Sequence, residues 1–241
     1  AAGLAAEGAA VVVNGRTPKR VDEAVAKIRT AHSKAKVSGV AADVGTAAGI
    51  ADLVKGAVAV DILVNNAGIF EPKAFLNISD EDWLRFFEMN VLSGVRLTRA
   101  LLPAMLKKNW GRVIFISSES GVQIPPEMIH YGMTKTAQLA VARGVAESVA
   151  GSGVTVNAVL PGPTNSEGVG GFVNGLAESQ HKTRDQVEKE FFQTMRPTSL
   201  IKRFATTEEV AAMVVYLCSE AASATTGAAL RVDGGVVRAI A

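Results

Sequence analysis

Ser117-Ser118-Glu119-Ser120-Gly121-Val122-Gln123-Ile124-Pro125-Pro126-Glu127-Met128-Ile129-His130-Tyr131-Gly132-Met133-Thr134-Lys135 is the stretch around which the 241 residues are organised. Tyr131 and Lys135 stand four positions apart at the start of a segment, Tyr131 to Ala150, rich in good helix formers. Their side chains therefore project from one helical face. A free phenol has a pKa of about 10 and is ionised about once in a thousand at neutral pH, and a neighbouring ammonium favours the phenolate. Lys135 is placed to be that ammonium. Ahead of the pair, Arg112 to Ile116 reads as a short apolar strand ending in Ser117-Ser118. It brings a hydroxyl to the carboxyl edge of a sheet, where ligands bind in open α/β folds. A lone Tyr-x-x-x-Lys is also ordinary helix surface, so the pair needs company.

That company is present. Ser118, Tyr131 thirteen positions on and Lys135, with Asn65-Asn66-Ala67-Gly68 upstream and Pro161-Gly162 downstream, resemble a classical short-chain dehydrogenase/reductase. The resemblance runs from the first residue to Val232-Asp233-Gly234-Gly235. It implies a Rossmann-like α/β fold, a doubly wound parallel sheet with helices on both faces. One domain is expected over 1–241, with a substrate lid at about 165–204.

Composition sets the outer bounds. With 48% hydrophobic and 20% charged residues the chain buries a substantial core. A net charge of +2, with Lys and Arg scattered along amphipathic segments, gives no footprint for nucleic acid or an anionic membrane. The single cysteine, Cys218, cannot form an intramolecular disulfide, and no Cys/His cluster has zinc spacing, so no metal site is expected. The apolar stretches are broken well before the roughly 20 residues that span a bilayer, and no signal-peptide pattern opens the chain. A cytoplasmic protein is expected.

Taken in order, Ala1 to Ala9 reads as the last turns of a helix stopped at Gly8, followed by a strand from Ala10 to Val13. In the resembling family a strand and a glycine-rich turn come first, letting backbone approach the cofactor pyrophosphate. Neither precedes Ala10 here. That strand would lie centrally, between the ones ending at Val13 and Val64, and its loss leaves backbone groups unpaired. The expectation is a fragment lacking roughly 20 to 30 residues of a first βαβ unit. Disorder of that part is the alternative.

The tip of the Ala10 to Val13 strand bears on cofactor choice. An acid there would bind the ribose 2′-hydroxyl of NAD, whereas an arginine accommodates the 2′-phosphate of NADP. Val13, Asn14 and Gly15 include no acid, and Arg16 follows, so NADP is favoured with NAD as the alternative. Thr17 and Pro18 start the next helix, running to about Ser33. Asp43-Val44, after a strand from Lys36 to Ala41, matches the family's adenine contact; an Asp there is otherwise a routine cap. Asn66, Ala67 and Gly68 follow a strand from Val60 to Val64 and, by resemblance, lie against the nucleoside.

Ser79 with Asp80, Glu81 and Asp82 starts a helix whose apolar spacing continues from Trp83 to Lys107. Asn90 within it matches the family's fourth catalytic residue, which helps hold a water linking the lysine to solvent. The proline-interrupted loop offers Glu119, Gln123, Glu127, Met128 and His130 as specificity candidates. His130 reads as structural rather than as a proton carrier, because adjacent helical residues point in different directions. After a strand from Val154 to Leu160, Pro161 and Gly162 pack on the nicotinamide by resemblance. Thr164, or alternatively Ser166, supplies a hydroxyl to the carboxamide or a phosphate.

The segment from Asn165 to Phe204 is glycine-rich, then helical from Arg184 to Met195, and suits a flap with an apolar underside. Thr206-Thr207-Glu208-Glu209 is a capping box for a helix in which Cys218 packs as a small apolar residue. A last strand spans Ala228 to Val232, and the tail Val236 to Ala241 suits a subunit interface, since relatives form homodimers or homotetramers.

The chemistry implied is reversible hydride transfer between a nicotinamide and a carbonyl or secondary alcohol carbon of a small molecule. Tyr131 acts as acid or base, Ser118 binds the reacting oxygen, Lys135 binds the ribose and favours the phenolate, and Asn90 maintains the proton path. A regulatory or scaffold protein that binds nucleotide without turnover is the competing class. A dehydratase or epimerase on the same fold needs further residues that the lid does not reveal.

Overall fold

In the computed structural model, which describes residues 1–57 and 59–240, helices and parallel strands alternate. The first half comprises α1 (Ala2–Ala6), β1 (Val11–Gly15), α2 (Pro18–Ala31), β2 (Val37–Ala41), α3 (Ala47–Gly56), β3 (Ile62–Asn65), α4 (Asp80–Phe87) and α5 (Ser93–Lys108). The second comprises β4 (Gly111–Ile116), α6 (Ile129–Ser148), β5 (Val154–Pro161), α7 (Glu167–Ser179), α8 (Arg184–Thr194), α9 (Thr207–Cys218) and β6 (Ala229–Val232).

Successive strand side chains point to opposite faces, and β4 uses both. Val113 and Phe115 enter a core with Leu97 and Met105 of α5 and Ala142 and Ala146 of α6. Ile114 faces the other way, against Val214 and Leu217 of α9. A strand covered on both sides reads as a continuous apolar run. Phe115 is 1% exposed, so Phe115→Ala costs about 3–5 kcal/mol. Cys218 packs in the α9 layer, as its sequence context suggested.

The Rossmann-like α/β architecture is the one the chain adopts, with its ladders in two pieces. One sheet has the order β3-β4-β5-β6 and the other pairs β1 with β2, all parallel. Among the described residues, β1 bonds only to β2, and β3 only to β4. α1 stands between the two halves. Its Leu4 packs on the α9 layer, while Ala5 joins Val21, Val25 and Ile28 of α2 and Val37 of β2.

Several elements depart from the sequence reading. Pro18 opens α2, but the Thr17 side chain makes no capping bond. Ser79 and Asp82 form the capping box of α4. The helix expected from Trp83 to Lys107 is interrupted, because Glu88–Leu92 widens into a π turn containing Asn90 before α5 resumes. Such turns carry no sequence signature in period-3.6 patterns, yet they recur at functional sites.

The glycine-rich run is helical as α7, capped by Ser166, which accepts from the Val169 amide. Val173 and Leu176 pack there with Val187, Phe192 and Phe204, so tertiary burial outweighs the weak helix propensity of glycine. In the tail, Val236 and Val237 are buried within the chain itself, whereas Ala241 lies outside the described residues. No described helix is long and apolar enough to cross a membrane.

Candidate active site

β4 ends by turning its backbone against α6. Ser117 Oγ donates to the Lys135 carbonyl at 2.8 Å, fixing the strand end to the helix. Gly121 makes the approach close, since a Cβ there would stand 2.9 Å from the Lys135 carbonyl carbon. Ser118 heads the short turn Glu119–Gly121, its Oγ accepting from the Ser120 amide at 3.1 Å. In that bond the oxygen accepts, so the hydroxyl proton can turn toward the Tyr131 phenol.

Tyr131 and Lys135 project from the first turns of α6, with Lys135 Nζ 5.5 Å from the phenol ring centroid. Phe70 meets the same ring edge-on at 6.4 Å. Burial pushes the phenol up to about 12; the Ser118 hydroxyl, as hydrogen-bond partner, pulls it down, Glu119 raises it and Arg196 lowers it. Desolvation dominates here over the ammonium anticipated from sequence. Burial likewise pushes the Lys135 ammonium down to about 8. Nζ donates to the Ile116 carbonyl at 2.9 Å and to Gln138 Oε1 at 3.2 Å. An ammonium has three donors, so one remains.

Asn90 is fully enclosed in its π turn. Its Oδ1 accepts from the Ile69 amide at 2.8 Å, and its Nδ2 donates to the Ile69 carbonyl at 3.0 Å and Thr134 Oγ1 at 2.9 Å. It thus ties the segment after β3 to α6. Its backbone carbonyl accepts from Gln138 Nε2 at 2.6 Å, so Gln138 joins Asn90 to Lys135 directly. Sequence reasoning missed Gln138, although its spacing of three from Lys135 puts both on one face.

The residues matched to a cofactor lie at or just beyond strand carboxyl ends. Asn14 Nδ2 donates to the Val40 and Ala42 carbonyls, each at 3.0 Å, so this side chain fastens β1 to β2. Arg16 is exposed just beyond β1. Asp43 Oδ1 accepts from the Gly45 amide at 3.0 Å, and Val44 is buried in the core. After β3, Asn66 and Gly68 are exposed and Ala67 packs on the core. A Cβ on Gly68 would stand 3.3 Å from Asn90 Oδ1 and 3.6 Å from Lys135 Nζ. The missing side chain keeps Nζ reachable, which fits a sugar hydroxyl at its third donor.

At the end of β5, Pro161 leads to Gly162, whose Cβ would lie 2.5 Å from the Asp233 carbonyl oxygen. Thr164 Oγ1 donates to the Gly162 carbonyl at 2.9 Å. Arg20 at the start of α2 lies 3.5 Å from Glu167 at the start of α7. This exposed ion pair sets the starts of α2 and α7 side by side. The small residues along the wall and the free Lys135 donor fit a dinucleotide.

The specificity candidates divide. Glu119 and Glu127 both bind Arg196, at 2.9 and 3.1 Å. His130 turns away from the cleft into α4, its ring centroid 4.0 Å from Phe86 and 6.0 Å from Trp83. Gln123 is exposed and Met128 half-buried. Arg196 had no signal in the sequence.

Known proteins align over nearly the whole chain. The family model described as enoyl-(acyl carrier protein) reductase matches residues 1–237. YvaG of Bacillus subtilis, named an uncharacterised oxidoreductase, is 47% identical over 240 residues, covering 100% of this chain and 91% of the relative. A D-β-hydroxybutyrate dehydrogenase from Cupriavidus necator is 34% identical over 97% of this chain and 90% of its own. The structure of L-sorbose reductase from Gluconobacter frateurii, complexed with NADPH and L-sorbose, superposes with a TM-score of 0.93 at 30% identity, covering 99% of this chain and 91% of that one. With these relatives and the Ser118, Tyr131 and Lys135 geometry together, the chain belongs to the classical short-chain dehydrogenase/reductase family of oxidoreductases.

Proposed function

We propose that this protein transfers a hydride between NADP, with NAD as the alternative, and a carbonyl or secondary alcohol carbon of a small-molecule substrate. The observation that carries the reading is the convergence of three groups, the Lys135 ammonium 5.5 Å from the Tyr131 ring centroid and the Ser118 hydroxyl close enough to the phenol to lower its pKa. The dinucleotide supplies the hydride; the residues supply placement and a proton. Tyr131, neutral by burial, donates its proton to the oxygen that becomes an alkoxide and takes it back in the reverse direction. Ser118 donates a hydrogen bond to the same oxygen, which counts for most where water is excluded.

Lys135 uses its third donor on the cofactor ribose, while Ile116 and Gln138 hold the other two. Asn90 keeps the segment beside Gly68 docked on α6. Arg16 takes the 2′-phosphate, with Asp43, Val44, Asn66, Ala67 and Gly68 along the nucleoside and Pro161, Gly162 and Thr164 beside the nicotinamide. NADP over NAD is supported by Arg16 and by the NADPH complex of the sorbose reductase. Residues 165–204 form a lid within a single domain, supported by the packing of α7 on α8. Exposed Phe75, Leu76 and Leu84 support a homodimer or homotetramer. The lone, buried Cys218 is consistent with a cytoplasmic setting.

The test is to mix the protein with NADPH and a panel of sugar ketones, β-keto acids and aromatic ketones, following loss of the reduced-nicotinamide absorbance. Ketone-dependent oxidation of NADPH is expected. Tight NADPH binding with no turnover across the panel would instead favour a nucleotide-binding scaffold.

A further inference from the structure

Arg196 lies two residues beyond α8, yet its side chain is buried beneath the loop that follows β4, only 8% exposed. Its guanidinium reaches two acids at once. Nε donates to Glu119 Oε1 at 2.9 Å, and Nη1 donates to Glu127 Oε1 at 3.1 Å and to the Met195 carbonyl at 2.9 Å. Glu119 is 4% exposed, and its other oxygen accepts from Ser120 Oγ at 2.7 Å. A carboxylate at that depth persists only because it is paired and hydrogen-bonded.

The positions of the two acids give the pairing its meaning. Glu119 directly follows Ser118, and Glu127 sits four residues before Tyr131 in the turn Pro126–Met128 that launches α6. The loop between them contains Pro125 and Pro126, and its regular pieces are the short turns Glu119–Gly121 and Pro126–Met128. Ser117 and Thr136 tie its first turn to α6 through the backbone, whereas Arg196 bonds the side chains on both flanks. One rigid fork therefore spans both flanks of the cleft.

We propose that Arg196 is a positioning residue, clamping the turn that carries Ser118 to the turn that launches the Tyr131 helix and making their separation depend on the docking of α8. The proposal rests on the oxidoreductase reading. A guanidinium serves both carboxylates through a planar fork, whereas a lysine offers one point charge. The clamp also balances charge at the phenol, which Glu119 and Arg196 push in opposite directions while Lys135 lies across its ring. Removing either member exposes the other.

The experiment compares Arg196→Met, Arg196→Lys, Glu119→Gln and Glu127→Gln with wild type, using kcat, NADPH affinity and the pH profile of alcohol oxidation. Arg196→Met is expected to lower kcat roughly 10- to 100-fold, the scale of a small misplacement of reacting groups, with NADPH affinity unchanged. Arg196→Lys should not restore it, and Glu127→Gln should cost less. The apparent pKa of the rate profile should rise in Arg196→Met and fall in Glu119→Gln.

Unchanged kcat in Arg196→Met, or shifts of the same sign in those two variants, would overturn the clamp. Where Arg196→Met fails to fold, the Arg196→Met/Glu119→Gln pair removes the stranded charge and should still lose kcat; full activity in it counts against the proposal. Hydrogen exchange provides a readout without turnover. Backbone amides of 119–128 should exchange faster in Arg196→Met or in the paired variant, and unchanged protection there overturns the clamp. A wild type inert toward every ketone would sink the oxidoreductase reading and leave this exchange result to decide.

Discussion

β4 and β5 bury nearly every residue they carry, whereas β1 and β2 turn Val12, Ser38, Gly39 and Ala41 toward solvent. The first pair ends at Ser118 and Pro161, beside the proposed reaction centre; the second ends at Arg16 and Asp43, beside the proposed nucleotide contacts. Groups that must meet within tenths of an ångström are mounted on the part of the sheet whose core fixes them. A residue that only recognises a phosphate needs charge and reach, and an exposed strand tip supplies both. On the proposed reading, the chemistry sits on the buried pair of strands and cofactor choice on the exposed pair, where one side chain can change it.

Tyr131→Phe tests the rigid side hardest. It removes one hydroxyl from a packed ring, so turnover should fall roughly 10² to 10⁴-fold while NADPH affinity and the melting temperature hold. Steady-state kinetics with binding by fluorescence measures both, and retained turnover would end the assignment.

Gln138→Leu comes next and tests why that region is rigid. It strips the Asn90 carbonyl and one Lys135 donor of their buried partner, at about 1–3 kcal/mol of stability. Urea denaturation gives the number; a loss indistinguishable from zero would mean that the bridge holds nothing.

Arg16→Ala probes the exposed side. NADPH should weaken roughly ten-fold, the equivalent of one charge-assisted contact, with NADH binding and thermal stability unchanged. Equal weakening of both cofactors would remove the distinction between the two regions.

The buried half was also the more legible in sequence. Arg112 to Ile116 reads as a strand because both its faces are covered, and Tyr131 and Lys135 share a face by spacing alone. The capping boxes at Ser79 and Thr206 mark their helix starts because the signal is local. Asn90 was found by resemblance, but its π turn was not, since one extra residue per turn leaves the apolar pattern nearly intact. α7 was illegible for the opposite reason: its glycines argue against a helix that exists because Val173 packs on Phe192 and Phe204. Arg196 could not be read at all, for its partners lie 77 and 69 positions away.

His130 carries the contrast into a single helix and gives the smallest effect. It is adjacent to Tyr131, yet its ring is wholly buried against Phe86 and Trp83, and neither ring nitrogen has a hydrogen-bond partner among the described residues. Burial lowers its pKa from 6.5; Asp82 and Glu71 oppose that, and Arg85 and Lys73 add to it. In the unfolded chain the imidazole takes up its proton near its ordinary value, and in the folded chain only at lower pH. Between those two values the unfolded state binds more protons, so the imidazole's contribution to stability falls as pH drops below about 6.5 and is flat above it.

The carboxyl groups that the fold holds low act in a more acid window: Asp82, paired with Lys73, and Glu209, held at about 2 by Arg203, start from 3.8 and 4.5. Burial also lowers the Ala1 amine from 8.0, so denaturation at about pH 7 and about pH 5 isolates the imidazole only as the difference between wild type and a His130 variant. His130→Leu should shrink the difference while leaving turnover at neutral pH intact, because the ring faces α4. If the variant keeps the pH difference, His130 is not its source; if it loses turnover, the two faces of α6 are coupled.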